Sequence, residues 1–175
     1  AMPSSSAMPR SDSICAIIKA CQNDGLISAT RTDDIANLWK ARKALSPLLR
    51  EIAPKKINED VVVPVNTLPQ FLDNVTQLST HYKINNVNFG HAGNGNIHVN
   101  LLINPDDPDE VSRAACCLDE IFNLVIKLRG TLSGEHGIGS EKRAFITKEI
   151  DFATLDLMKG IKKVFDPANI LNPGK

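Results

Sequence analysis

The chemistry-bearing residues of this chain concentrate in two glycine-rich stretches, Gly90–Asn100 and Ser133–Gly139, which hold three of its four histidines. In the first, Asn94-Gly95 is the dipeptide preferred in a two-residue type I′ turn, so Asn85–His91 and Asn96–Ile103 are expected to form a hairpin. His91 would then lie directly opposite His98, with Cβ atoms about 4.5–5.5 Å apart, close enough for both imidazoles to reach one metal ion; the alternative is that Gly93 widens the turn and shifts this register. Strand alternation sends Ile97, Val99 and Leu101 to the other face and leaves Asn100 beside His98. The competing reading makes both histidines surface residues on a solvated sheet face. In the second stretch, three glycines around Glu135-His136 allow close approach to a ligand. Two histidines and one carboxylate would leave a coordination position open for substrate, the arrangement of a catalytic metal site and not of a closed structural one. His136 would then be free as a general base toward a substrate hydroxyl. The alternative is a helix end followed by a flexible turn, with Glu135 set against the dipole of a helix over Ser140–Lys148. A phosphate cradle is disfavoured, because the lysine of G-x-x-x-x-G-K-[ST] is missing.

The elements that must position these segments follow from periodicity. Ile14, Ile17, Ile18 and Cys21 mark a helix over Ser11–Asn23, ended by Gly25, with a strand at Leu26–Thr30. Asp33 or Asp34 starts a second helix through Ile35, Leu38, Trp39 and Leu45, which Pro47 should interrupt or end. Lys55–Asn58 reads as a basic loop and Val61–Val65 as a strand. Thr67 and Gln70 form a capping box for a helix burying Leu68, Phe71, Leu72, Val75 and Leu78. After the hairpin, Asp107, Pro108 and Glu110 open a helix through Val111, Ala114, Leu118, Ile121, Phe122 and Val125, stopped by Gly130. Shorter helices, Ser140–Lys148 and Phe152–Val164, precede the Pro/Gly-rich end. The pattern predicts α+β, with an antiparallel sheet covered on one face.

Composition narrows the function classes. With 20 basic and 20 acidic residues among 175, no net field favours nucleic acid or an anionic membrane. The 42% hydrophobic content suits one compact domain with a proper core. Cys15, Cys21, Cys116 and Cys117 lack C-x-x-C spacing and read as buried free thiols of a reducing compartment. No apolar run reaches membrane-spanning length, and residues 1–10 lack the hydrophobic centre of a signal peptide; they read as disordered or vector-derived.

Three motifs together carry a resemblance: Gly90-His91-Ala92-Gly93-Asn94-Gly95-Asn96-Ile97-His98, Ser133-Gly134-Glu135-His136-Gly137-Ile138-Gly139, and Phe165-Asp166-Pro167-Ala168-Asn169-Ile170-Leu171-Asn172-Pro173-Gly174-Lys175. With Trp39-Lys40-Ala41-Arg42 and Asp60-Val61-Val62-Val63-Pro64, residues 11–175 resemble the C-terminal domain of FAD-linked oxidases. That group includes glycolate oxidase flavin subunits, D-lactate dehydrogenases and D-2-hydroxyglutarate dehydrogenases, of the vanillyl-alcohol oxidase superfamily. The resemblance implies that His91, His98 and Glu135 are ligands of a divalent metal, usually zinc, and that His136 is the base. It implies that Arg42 grips the substrate carboxylate, that Ser46 assists with its hydroxyl, and that Asn100 contacts the bound hydroxy acid. A bidentate guanidinium suits such a carboxylate. The implied fold is a ferredoxin-like antiparallel sheet with helices on one face, incomplete at its N-terminal side.

Two positions depart from the family pattern. Asn94 stands where glycolate-oxidase-like members often have aspartate, a change that suits the turn equally well. Asn58 stands where hydroxyglutarate-type members have a substrate-binding lysine, with Lys55 or Lys56 able to substitute only by a loop shift. Otherwise a small monocarboxylate such as lactate or glycolate becomes the favoured substrate over a dicarboxylate. FAD would be bound mainly by a flavin domain outside this segment, so the segment is expected to be part of a larger parent or a subunit needing a partner. Catalysis is expected of the intact parent, with the isolated segment inactive. The alternative is a non-catalytic metal-binding or assembly module. Self-association over an exposed edge is also expected. The electron acceptor is not encoded visibly, and location is expected to be cytoplasmic, peripheral to a membrane through a parent complex, or mitochondrial in a eukaryote.

Overall fold

The computed structural model describes residues 31–174. The expected helix Ser11–Asn23 and strand Leu26–Thr30 lie outside them. The chain divides into two compact units, Ala1–Pro47 and Leu48–Lys175. The first described helix, α1, covers Thr32–Ile52 with Asp33 and Asp34 in its first turn, as expected, but Pro47 lies inside it. A proline removes one donor and crowds one carbonyl, and here helix is assigned on both sides of it.

The second unit is built from β1 (Lys55–Val62), α2 (Leu68–Tyr82), β2 (Asn85–His91), β3 (Asn96–Ile103), α3 (Pro108–Lys127) and α4 (Phe152–Phe165). The three strands form one antiparallel sheet in the order β1-β3-β2. This β-α-β-β-α succession, with β3 inserted between β1 and β2, is the strand order of a ferredoxin-like unit. After α3 the chain returns along the free edge of β1, where Thr131 makes an isolated antiparallel bridge to Val62. The architecture is therefore α+β, as the periodicity predicted.

The core lies on one face of the sheet. Val61, Val63, Ile97, Val99, Leu101 and Ile103 meet Phe71 and Val75 of α2 and Ala114, Ile121, Phe122 and Val125 of α3, all buried. Each large aliphatic or aromatic side chain so buried contributes about 1.5–3 kcal/mol, which fixes which face of each strand points inward. Leu72 and Leu78 only half-bury at the margin.

Several local expectations change. The basic loop is strand: β1 starts at Lys55 and pairs residue by residue with β3, so Asn58 opposes Asn100 and Asp60 opposes His98. The polar residues of β1 had masked it, because Lys56, Asn58 and Asp60 belong to the face opposite the core. The run ends at Val62, and Val65–Thr67 is a 3-10 turn. That turn consumes the Thr67 cap: its hydroxyl donates to the Pro64 carbonyl and caps nothing on α2. Asp107 does cap α3, accepting from Asp109 and Glu110, whereas the Glu110 carboxylate turns to the amide of Asn104. The helix expected at Ser140–Lys148 is only a 3-10 turn, Arg143–Lys148. Cys117 is buried as expected, but Cys116 is exposed. On α4, Leu157, Met158, Ile161, Val164 and Phe165 form an apolar stripe that is between 49% and 81% exposed. Among the described residues, no helix is long and apolar enough to cross a membrane.

Candidate metal and proton-transfer site

The hairpin forms with the strand limits the sequence indicated, but its turn is longer. Ala92–Asn94 is a 3-10 turn closed by Gly95 at φ 78°, so four residues, not two, connect the strands. Gly95 is required twice over: its φ is left-handed, and a Cβ would stand 1.9 Å from the Val63 carbonyl oxygen. The register moves with the turn. His98 opposes Phe89, and His91 opposes Asn96, so the two histidines are diagonal neighbours and not a direct pair. Because the displacement is two residues, both remain on the face away from the core. Their ring centroids are 5.8 Å apart, edge to face.

The loop of residues 131–140 is drawn onto this face by two buried charged groups that the sequence reading had not singled out. Asp60, fully buried, accepts through Oδ2 from three successive backbone amides, those of Gly134 (2.9 Å), Glu135 (2.6 Å) and His136 (2.9 Å). Lys142, 3% exposed, donates from Nζ to the carbonyls of Asp60 and Leu132, each at 2.6 Å, and lies 3.5 Å from Glu59 Oε2. Val62 and Thr131 exchange backbone hydrogen bonds at the loop's entry. Gly134 is where the loop touches the sheet: a Cβ there would meet Asp60 Oδ1, Asn96 Nδ2 and Val62 Cγ2, each at 2.9 Å.

Glu135 and His136 are thereby presented to the histidines. Glu135 Oε1 lies 3.3 Å from His98 Nε2 and 3.9 Å from His91 Nε2. Two donors on one tetrahedral zinc, each about 2.0–2.1 Å from the ion, are about 3.4 Å apart. The His98–Glu135 spacing is close to that value, and the half-exposed His91 lies further from Glu135 Oε1, at 3.9 Å against 3.3 Å. Asp60, His98, Glu135 and His136 also place one donor atom each within 4.8 Å of one another. One observation favours the first grouping over Asp60 as a ligand: Asp60 faces the other nitrogen of His98, Nδ1, at 3.9 Å, and so is not aimed at an ion held by Nε2. His136 stacks on His98 with centroids 5.2 Å apart and an interplanar angle of 23°.

Protonation follows burial. His98 is pushed below the usual imidazole range by burial, against the pull of the Asp60 carboxylate, and stands neutral, the form that ligates metal. Burial alone would raise the Asp60 carboxyl, but amide donation from His136 and Glu135, with the His136 and Lys142 charges, holds it below its ordinary range. Burial raises Glu59 despite its Lys142 partner.

The remaining expected site residues are distributed differently. Asn100 is fully buried and internally committed: Nδ2 donates to the Val87 and His98 carbonyls, and Oδ1 accepts from Asn58 Nδ2 at 2.7 Å. The member of this pair that reaches the cleft is Asn58. That cleft, of about 540 Å³, runs beside the loop and is lined by Lys55, Lys56, Asn58, His136, Ser140 and Glu141, among others. The unbroken pairing of β1 rules out the loop shift that would have carried Lys55 or Lys56 into the place of Asn58. Arg42 and Ser46 lie on α1 in the unit of residues 1–47, both half-buried and neither without a partner.

Comparison with known proteins identifies relatives of this chain. The chain is 34% identical to the glycolate oxidase subunit GlcD of Bacillus subtilis over 164 residues, 94% of this chain and 35% of that protein. It is 35% identical over 142 residues to a probable mitochondrial D-lactate dehydrogenase of Danio rerio, covering 80% of this chain and 29% of the relative. It is 37% identical over 157 residues to a D-2-hydroxyglutarate dehydrogenase of Stutzerimonas stutzeri, covering 87% of this chain and 33% of the relative. The chain thus spans about a third of the length of the curated relatives it matches. A family model described as FAD linked oxidases, C-terminal domain, matches residues 5–175, and the chain belongs to that family.

Proposed function

We propose that this chain is the metal- and substrate-binding portion of an FAD-dependent D-2-hydroxy-acid dehydrogenase of the D-lactate or glycolate type. The observation that carries the reading is the convergence of His98 Nε2 and His91 Nε2 on Glu135 Oε1, with His136 stacked on His98 and lining the cleft. The donor set fits a divalent ion: two imidazole nitrogens and one carboxylate, with the half-exposed side of Glu135 and His91 left for substrate. Bound there, a divalent ion such as zinc would supply a Lewis acid for the substrate's hydroxyl oxygen, and FAD, held mainly by a domain outside this chain, would accept the hydride.

The chain's own residues do the rest. His136, tethered through its backbone amide to Asp60, takes the hydroxyl proton on its imidazole. The Asp60 and Lys142 anchors hold Glu135 and His136 still, so their geometry does not depend on substrate arrival. Arg42 binds the substrate carboxylate bidentately and Ser46 assists it. Asn58, held by Asn100, offers an amide in place of a cation at its own position on β1, while Lys55 and Lys56 line the same cleft.

The test is made in the intact parent. His136→Ala should abolish D-lactate or glycolate oxidation while metal content is retained, and a His91→Ala, His98→Ala double variant should lose the metal. Retained turnover in His136→Ala, or undiminished metal in the double variant, would overturn the proposal.

A further inference from the structure

The reading above uses His98 Nε2 as a ligand and leaves open what fixes the ring so that this nitrogen, and not the other, carries the lone pair. A neutral imidazole has one protonated and one bare nitrogen, and metal-binding histidines are commonly set by a carboxylate accepting from the far N–H. Asp60 occupies that far side. It opposes His98 across the β1–β3 ladder, and its Oδ1 lies 3.9 Å from His98 Nδ1. That oxygen is buried and has no hydrogen-bond partner, whereas Oδ2 accepts three loop amides. One carboxylate therefore has one oxygen saturated by the segment carrying Glu135 and one oxygen unfilled beside the ring of His98. A buried acceptor left without a donor is costly, so the arrangement favours the His98 tautomer that supplies an N–H on that side.

We infer that Asp60 is a positioning residue with two separate tasks: Oδ2 folds the Glu135–His136 loop onto the sheet, and Oδ1 holds the proton of His98 on Nδ1, leaving Nε2 bare toward Glu135. The inference rests on the metal reading for its consequence, but its core statement concerns the metal-free protein. On this reading Asp60 acts through His98 and the loop and is not itself a ligand.

The experiment uses the 175-residue chain with 15N-labelled histidine, free of metal, and reads the His98 tautomer from long-range 1H–15N correlations. A proton on Nδ1 is expected; a proton on Nε2 overturns the inference without any variant being made. The second arm is Asp60→Asn. Its amide oxygen still accepts from the loop, while its NH2 now donates toward His98 Nδ1 and should move the ring proton to Nε2. Co2+ binding, followed by visible absorption, should weaken 10–100-fold on the scale seen when such outer partners are removed. Wild-type affinity for Co2+ together with an unchanged tautomer in Asp60→Asn would overturn the inference. If the wild-type chain binds no Co2+, the metal reading fails, and the tautomer result alone decides the role of Asp60. If Asp60→Asn does not fold, the wild-type tautomer likewise decides it.

Discussion

Replacing Lys142 by methionine tests whether the buried ammonium holds the loop of residues 131–140 to the sheet. Methionine reproduces the lysine stem as far as Cε and lacks only the ammonium, so stem packing is nearly kept and the loss is mainly electrostatic. Nζ has three partners: the carbonyls of Asp60 and Leu132 at 2.6 Å and the Glu59 carboxylate at 3.5 Å. Hydrogen bonds to a charged group are worth about 1.5–3 kcal/mol each, and removing one partner of a buried ion pair costs about 3–5 kcal/mol. These overlap and do not add, because Glu59 can respond by taking a proton, toward which burial already pushes it. The expected loss is therefore about 3–5 kcal/mol near neutral pH, read as a lowered urea midpoint with little change in slope. Its pH dependence is the sharper signature. Below the ordinary Glu59 value of 4.5, the orphaned acid is neutral in either state, and the loss should shrink. Glu59→Gln in the Lys142→Met background should recover part of it, whereas Lys142→Arg should not restore the wild type, since a planar fork cannot reach the same two carbonyls. A cost below about 1 kcal/mol, or one that does not change with pH, would refute the argument.

Gly95→Ala combines a left-handed φ with a 1.9 Å approach to the Val63 carbonyl and should destabilise the chain by about 2 kcal/mol or more, visible in thermal unfolding. His98→Ala should weaken Co2+ binding more than His91→Ala, because His98 is buried at the short 3.3 Å spacing and His91 is half-exposed at 3.9 Å; equilibrium titration distinguishes them. For the metal-free chain, His98 is depressed in the fold, so its contribution is present above the ordinary 6.5 and lost as pH falls through the folded value. Asp60 has the same sign lower down, present above 3.8 and lost as pH falls further, whereas the raised Glu59 opposes both by costing stability as pH rises past 4.5. Urea midpoints between pH 4 and pH 8 should accordingly fall toward the acid side through the His98 range, and a profile rising steadily toward acid would contradict the assigned shifts.

The sequence carried the core strongly and the anchors weakly. Helix α3 and the paired strands were legible because Ala114, Ile121, Phe122 and Val125, and Ile97, Val99 and Leu101, recur at the periods of a helix and a strand. The first half of β1 was not, because Lys56, Asn58 and Asp60 are polar residues on the face away from the core and read as loop. The same fact hid Asp60 itself: a carboxylate in a valine-rich strand was the available signal, but only the ladder shows that it opposes His98. Lys142 was hidden similarly in the run Ser140-Glu141-Lys142-Arg143, where its neighbours are exposed and only the fold turns it inward. The grouping of His91, His98, Glu135 and His136 was anticipated; the turn was misjudged because Asn94-Gly95 matches a two-residue loop, while Ala92 and Gly93 join it in the observed one.

The four-residue turn also says something about how such a site tolerates change in length. Ligands on the two arms of a hairpin share a face only while the strands slip past one another in even steps. A slip of two leaves His91 and His98 as neighbours, and a slip of one would turn His91 into the hydrophobic interior. Length variation at residues 92–95 is therefore filtered by parity: it survives where the loop absorbs it or where the strands move by two, and an odd displacement would part the two histidines of the candidate metal site while leaving both in the chain.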